Sequence, residues 1–221
     1  MYDYDESRLR MLGVPYVISS SGKTVPEDTG AYPKSALVTT DTEIESQNMI
    51  DYLCSCGHKR IAFITSRDEG LGRCHLNGYK RALEKNGLEY DEKLIIRLKP
   101  AKRIYTIENG YNCTCELLKS GVDFSCIYAI SDTLAVGACR AIIDSGKRVP
   151  EDYCVAGADG QDIAEYYHPS ITTLKYPRVE TAQQSVRTLF DMIDRKKVVK
   201  RQILGGTLIE RESTRLSLIH I

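Results

Sequence analysis

CIYAISDTLAVGACRAIIDSGKRVPEDYCVAGADG, residues 126–160, carries one complete strand–helix–strand repeat. Cys126–Ile130 reads as a strand. Asp132–Ser145 reads as a helix stopped by Gly146. Tyr153–Gly157 is the next strand. Two strands joined through a helix lie parallel, and ligands of such sheets bind beyond the carboxyl ends of the strands. The residues just after each strand, here Ser131, Asp132 and Ala158–Gly160, are therefore where chemistry is expected.

The same alternation extends both ways. Upstream, Val14–Ser19 and Ala36–Thr39 read as short strands around a Ser/Gly/Pro-rich loop at 20–34. Asp41 caps a helix with Ile44, Met49, Leu53 and Cys56 on one face and Gly57 at its end. Arg60–Thr65 is an apolar strand, followed by a polar loop and a helix with Leu76, Tyr79 and Leu83 on one side. Leu94–Leu98 is a strand, and Thr106 caps a helix whose apolar face is Ile107, Tyr111, Cys115 and Leu118. Downstream come a strand at Ile171–Leu174, a helix with the stripe Val179, Ala182, Val186, Leu189 and Ile193, and a last strand at Gln202–Ile209. The fold class is α/β, parallel sheet flanked by helices.

The 30 basic and 30 acidic residues balance, so the chain lacks the basic footprint of a surface that holds phosphate backbones. No apolar run is long enough for a bilayer, the start MYDYDESRLR has no signal-peptide core, and eight cysteines without a disulfide framework suit a reducing cytoplasm. Cys54-x-Cys56 and Cys113-x-Cys115 lack zinc-knuckle spacing, so no metal is expected. Gly70-x-Gly72 has no remainder of a dinucleotide or P-loop pattern, and no Gly-x-Ser-x-Gly elbow occurs; neither a cofactor nor catalysis is expected.

Read in order, LGVPYVI (12–18), VTTD (38–41), GHKRIAFIT (57–65), NGYKRALEKNGL (77–88), the stretch 128–160 and HPSITTLKYP (168–177) resemble the lactose-repressor/galactose-repressor family from Leu12 to Arg215. The resemblance implies two Rossmann-like lobes of the periplasmic-binding-protein type I kind, with an effector in the cleft between them. It assigns 1–39 to the end of an incomplete N-terminal lobe and 40–175 to the C-terminal lobe. Residues 176–198 return to the first lobe, 199–215 supply the last strand of the second, and 216–221 read as a non-native tail. It further implies a small-molecule effector (a sugar or derivative, or a purine), a homodimer, and operator DNA reached only through a headpiece that this chain lacks. The rival class is an extracytoplasmic sugar-binding protein of a transporter.

Site residues follow from the same resemblance. Asp159 falls where a carboxylate binds effector hydroxyls or ring NH groups, and its bland alternative is a cap for 160–166. Ser131 replaces the family's usual Asn, and Asp132 either caps its helix or touches ligand. Tyr105 falls where an aromatic ring often stacks on effector, or else packs in a surface loop. His75 stands where the family commonly has an Arg, with Arg73 two positions earlier as its possible substitute; the two cannot face the same way on a helix. Tyr176 lies at a crossing between lobes, and Ser20 where sugar-binding members often have Asp. His58 reads as a turn residue.

Overall fold

The computed structural model describes residues 6–21, 33–67, 70–100 and 102–214. In chain order the elements are α1 (Glu6–Met11), β1 (Tyr16–Ser21), β2 (Ser35–Thr40), α2 (Thr42–Ser55), β3 (Ile61–Thr65), α3 (Gly70–Lys85) and β4 (Ile95–Arg97). They continue with α4 (Ile107–Lys119), β5 (Cys126–Ala129), α5 (Asp132–Asp144), β6 (Cys154–Asp159), α6 (Asp162–Tyr166), β7 (Thr172–Lys175), α7 (Arg178–Ile193), β8 (Arg201–Leu204) and β9 (Thr207–Ile209). Tail residues 216–221 and most of the expected loop at 20–34 lie outside the described residues.

The chain divides into two compact units. One comprises residues 1–42 and 177–205, the other residues 43–176 and 206–221. In the first, β1 and β8 flank β2, all parallel, with Tyr16, Ile18 and Leu37 forming a small core. In the second, six strands run in the order β4-β3-β5-β6-β7-β9. All neighbours are parallel except β9, which pairs antiparallel with β7 at the edge. The expected parallel pairing of the 60–65 and 126–130 strands is present, with Phe63 opposite Tyr128.

The second unit's core follows from its central strands, whose residues are buried throughout. Phe63 stacks between Tyr79 of α3 and Tyr128 of β5, with ring centroids 4.9 and 5.3 Å away. The Tyr79 hydroxyl donates to the Ile61 carbonyl at 2.8 Å, so its polar tip is not stranded. Gly87, Gly121 and Gly146 all have positive φ just past α3, α4 and α5, as helix-stopping glycines do.

Three helix faces differ from expectation. The apolar face read on α4 is rotated, because its buried residues are Gly110, Thr114 and Leu117 while Ile107 is exposed. The cause is a backbone-to-backbone crossing with α5. A Cβ on Gly110 would stand 2.2 Å from the Leu134 carbonyl oxygen, and one on Gly137 2.1 Å from that of Ile107. On α2, Met49, Ile50 and Leu53 are fully buried, whereas Ile44 and Cys56 are exposed. On α7, Val179, Val186 and Ile193 are exposed, and the buried residues are Thr181 and Thr188. That rotation is fixed by hydrogen bonds: Gln184 donates to the Gln202 side-chain oxygen at 2.7 Å, and Gln202 donates to the Thr188 hydroxyl at 2.9 Å.

The stretch 202–209, expected as one strand, is two. β8 pairs with β2, and β9 pairs with β7 beyond Gly205–Gly206. The Gly206 N–H donates to the Glu45 carboxylate, and a Cβ there would come within 2.9 Å of the same carboxylate. This turn ends one sheet's edge strand and starts the other's.

Candidate functional site

The carboxyl ends of β3, β5, β6 and β7 bring together most of the residues singled out from sequence, all within the second unit. Asp159 is the last residue of β6 and pairs in register with Lys175, the last of β7. Its backbone has φ +105°, a region that an L-residue enters at a cost of about 1–3 kcal/mol and that marks functional sites when held by surroundings. Gly160 follows at φ +65°, and a Cβ there would lie 2.6 Å from the Lys175 side chain. The Gln161 side-chain amide donates to Asp159 Oδ2 at 3.0 Å. The N-cap residue of α6 is Gln161 rather than Asp159, and it makes no side-chain capping bond.

The N-cap of α5 is Ser131, whose hydroxyl oxygen accepts the Leu134 N–H at 3.4 Å. Asp132, weighed from sequence as that cap, is instead the helix's first residue and turns into the sheet, fully buried. Its Oδ1 accepts the Thr173 hydroxyl and its Oδ2 the Gln161 backbone N–H, each at 2.6 Å. Burial pushes its carboxyl up to about 6 and the charge of Asp159 adds to this; the Thr173 and Gln161 hydrogen bonds and Arg211 oppose it.

Ser131 is also within 2.9 Å of the Thr133 hydroxyl, which donates to the Tyr105 carbonyl at 3.2 Å. With the Thr133 proton so placed, the Ser131 proton is directed to Thr133. The same chain ties the backbone of Tyr105 to the tip of β5, and its ring is 42% exposed.

α3 settles the geometry of His75 and Arg73. Arg73 is exposed, whereas His75 is only 3% exposed and lies on the buried side with Gly72, Leu76 and Tyr79. Tyr79 stacks on Phe63, so His75, one turn earlier, lies on the side of the sheet that carries Thr65. Burial lowers the imidazole to about 3, leaving it neutral. Its Nδ1 and the Thr65 hydroxyl have no hydrogen-bond partner among the described residues. Two such buried polar groups near strand ends call for an explanation.

Tyr176 follows β7, nearly buried, and burial raises its phenol well above the usual range, with Tyr128, Asp159, Glu45 and Asp132 adding to the shift. Ser20 lies in β1 of the first unit, and its side chain falls outside the described residues. His58, read as a turn residue, shares a hydrogen bond with the Ser125 hydroxyl through Nδ1 at 2.9 Å. Thr173, Gln161 and Thr65 were not singled out from sequence. Thr173 carries no local signal, because a Thr inside a buried strand is ordinary until its partner is known.

This architecture, a largely parallel sheet flanked by helices with carboxylates and tyrosines at its strand tips, is that of an α/β domain of the periplasmic-binding-protein kind. Residues 50–214 match the profile of the periplasmic binding protein-like domain. The HTH-type transcriptional regulator MalR of Clostridium butyricum is 40% identical over 146 residues, which are 66% of this chain and 42% of that protein. The regulator CelR of Thermobifida fusca is 33% identical over 203 residues, 91% of this chain and 57% of that one. The solved structure of a transcriptional regulator CelR–cellobiose complex superimposes with TM-score 0.77 at 31% identity, covering 95% of this chain and 62% of that one. The chain belongs to the periplasmic binding protein-like domain family, in the branch of the lactose-repressor/galactose-repressor regulators. It spans about half the length of the curated relatives it matches.

Proposed function

We propose that this chain is the effector-sensing part of a bacterial helix-turn-helix transcriptional regulator, and that its effector is a neutral sugar held by Asp159 at the strand tips of the second unit. The observation that carries this reading is Asp159 itself, a carboxylate at the end of β6 on a left-handed backbone, with Gln161 donating to one oxygen. A carboxylate's oxygens suit adjacent sugar hydroxyls. Beside it, Asp132 and Glu45 supply further acidic groups and His75 remains uncharged, which suits hydroxyls better than a phosphate. Tyr105 offers an exposed ring for the CH face of a sugar.

In this reading the effector shifts the population of two conformations by binding one more tightly, and the protein acts as a cytoplasmic homodimer without catalysing a reaction. DNA is contacted by sequence that these 221 residues do not include. The relatives named above are regulators, and one was solved as a cellobiose complex, which favours this reading over the extracytoplasmic transporter component.

The test is thermal shift with cellobiose, other neutral mono- and disaccharides, sugar phosphates and purine nucleosides, on wild type and Asp159→Ala. At a hundredfold excess over Kd a ligand adds about 2.7 kcal/mol of stability, a shift of several degrees. A neutral sugar is expected to give that shift in wild type alone. A full response in Asp159→Ala, or a response only to phosphates or purines, refutes the proposal.

A further inference from the structure

Asp159 and Gly160 are two successive left-handed residues, at φ +105° and +65°, and such a turn persists only where neighbouring groups over-determine it. One buried side chain grips it from outside. Asp132 accepts the Gln161 N–H at 2.6 Å with one carboxylate oxygen and the Thr173 hydroxyl at 2.6 Å with the other. Thr173 in turn accepts the Gly160 N–H at 3.3 Å. The Gln161 side chain donates to Asp159 at 3.0 Å, so the turn and the carboxylate it presents move together. The approach of Asp132 is possible because residue 157 is glycine: a Cβ there would stand 2.4 Å from Asp132 Oδ1.

We propose that Asp132 is a positioning residue for effector recognition, whose ionised form clamps the Asp159–Gln161 turn and whose protonation loosens it and weakens effector binding. The functional half of this inference rests on the reading that Asp159 contacts the effector; the clamp itself does not. The groups that bear on Asp132 are Asp159 from β6 and Arg211 beyond β9, with Tyr128 of β5 and Tyr176 after β7 also within electrostatic reach. Burial outweighs the two stabilising hydrogen bonds and Arg211 and brings the carboxyl to about 6, so the clamp titrates between pH 5 and 7. If only the clamped form binds, apparent affinity scales with its population, and effector binding is about tenfold weaker at pH 5 than at pH 7.5.

The experiment is a set of ¹H–¹⁵N spectra of the 221-residue chain between pH 7.5 and 4.5, for wild type, Asp159→Asn and Asp132→Asn. The Gln161 and Gly160 amide resonances are expected to move together with a midpoint near pH 6 in wild type, to keep that step at a lower midpoint in Asp159→Asn, where the neighbouring charge that helps raise Asp132 is gone, and to lose it in Asp132→Asn. A wild-type midpoint in the ordinary carboxylate range, or disappearance of the step in Asp159→Asn, overturns the clamp. Should Asp132→Asn fail to fold, the other two titrations still decide. Cellobiose titrated by calorimetry at pH 7.5 and 5 tests the functional half. Equal affinity at both values overturns the link from Asp132 to effector, whereas retention of binding in Asp159→Ala overturns the underlying reading instead.

Discussion

Replacing Thr173 by valine removes one hydroxyl from a fully buried site while preserving its shape. The lost bond is short, 2.6 Å, and its acceptor is a carboxylate, a class worth about 1.5–3 kcal/mol. The Gly160 N–H loses its acceptor at 3.3 Å, a further cost of about 1 kcal/mol. The added methyl group returns about 0.8 kcal/mol. The net destabilisation at pH 7.5 is roughly 2–3 kcal/mol. At pH 5 Asp132 is mostly protonated, its bond to Thr173 becomes one between neutral groups, and the net cost falls to about 1 kcal/mol. The Thr173 bond lowers the carboxyl's pKa, so its loss raises that pKa further, which by linkage makes the cost larger at the higher pH. Urea unfolding of wild type and Thr173→Val at both pH values, followed by circular dichroism, measures the two costs. Equal costs at both pH values, or a cost under about 0.5 kcal/mol at pH 7.5, would refute the account of Asp132 as a buried anion held by Thr173.

Other outcomes follow from the same geometry. The buried His75 falls from its ordinary 6.5 to about 3, so its contribution to stability is full above pH 6.5 and lost as pH falls toward 3. Relative to His75→Asn, wild type should therefore lose about 3 kcal/mol between pH 7.5 and 4.5, and parallel pH–stability curves would contradict this. Gly137→Ala forces a Cβ to 2.1 Å from the Ile107 carbonyl and 2.6 Å from the Tyr111 nitrogen, so α4 and α5 must separate. The cost is about 3 kcal/mol, a fall of roughly 10 °C in a thermal melt, and a change under about 2 °C would contradict the close crossing. Arg73→Ala, at an exposed position, should leave any sugar-induced thermal shift intact while His75→Asn diminishes it.

The strand–helix alternation was readable because its signals are local: apolar runs of four to six residues, and glycines just past helix ends. Its failures were equally physical. On α4 a hydrophobic count ranks Ile107 and Tyr111 above Gly110, yet a helix crossing at backbone contact selects the residue with no side chain. On α7 the apolar stripe is regular, but Gln184, Thr188 and Gln202 fix the helix by hydrogen bonds that hydropathy does not register. At the strand tips, alternation located Ser131, Asp159 and Tyr176 because each simply follows or ends a strand. What it could not supply was direction. Whether His75 or Arg73 turns inward depends on where α3 starts, and the role of Asp132 depends on Thr173, 41 residues further along the chain.

The central claim, that the carboxyl-end tips of the second unit's sheet receive the effector, is tested most directly by mapping amide shifts as cellobiose is added to the ¹⁵N-labelled chain. The largest changes are expected at Thr65–Ser66, His75, Ser131–Thr133, Asp159–Gln161 and Lys175–Tyr176. Changes centred instead on the opposite ends of the same strands, at Gly57–Arg60, Asp123–Cys126 and Pro150–Cys154, would contradict it.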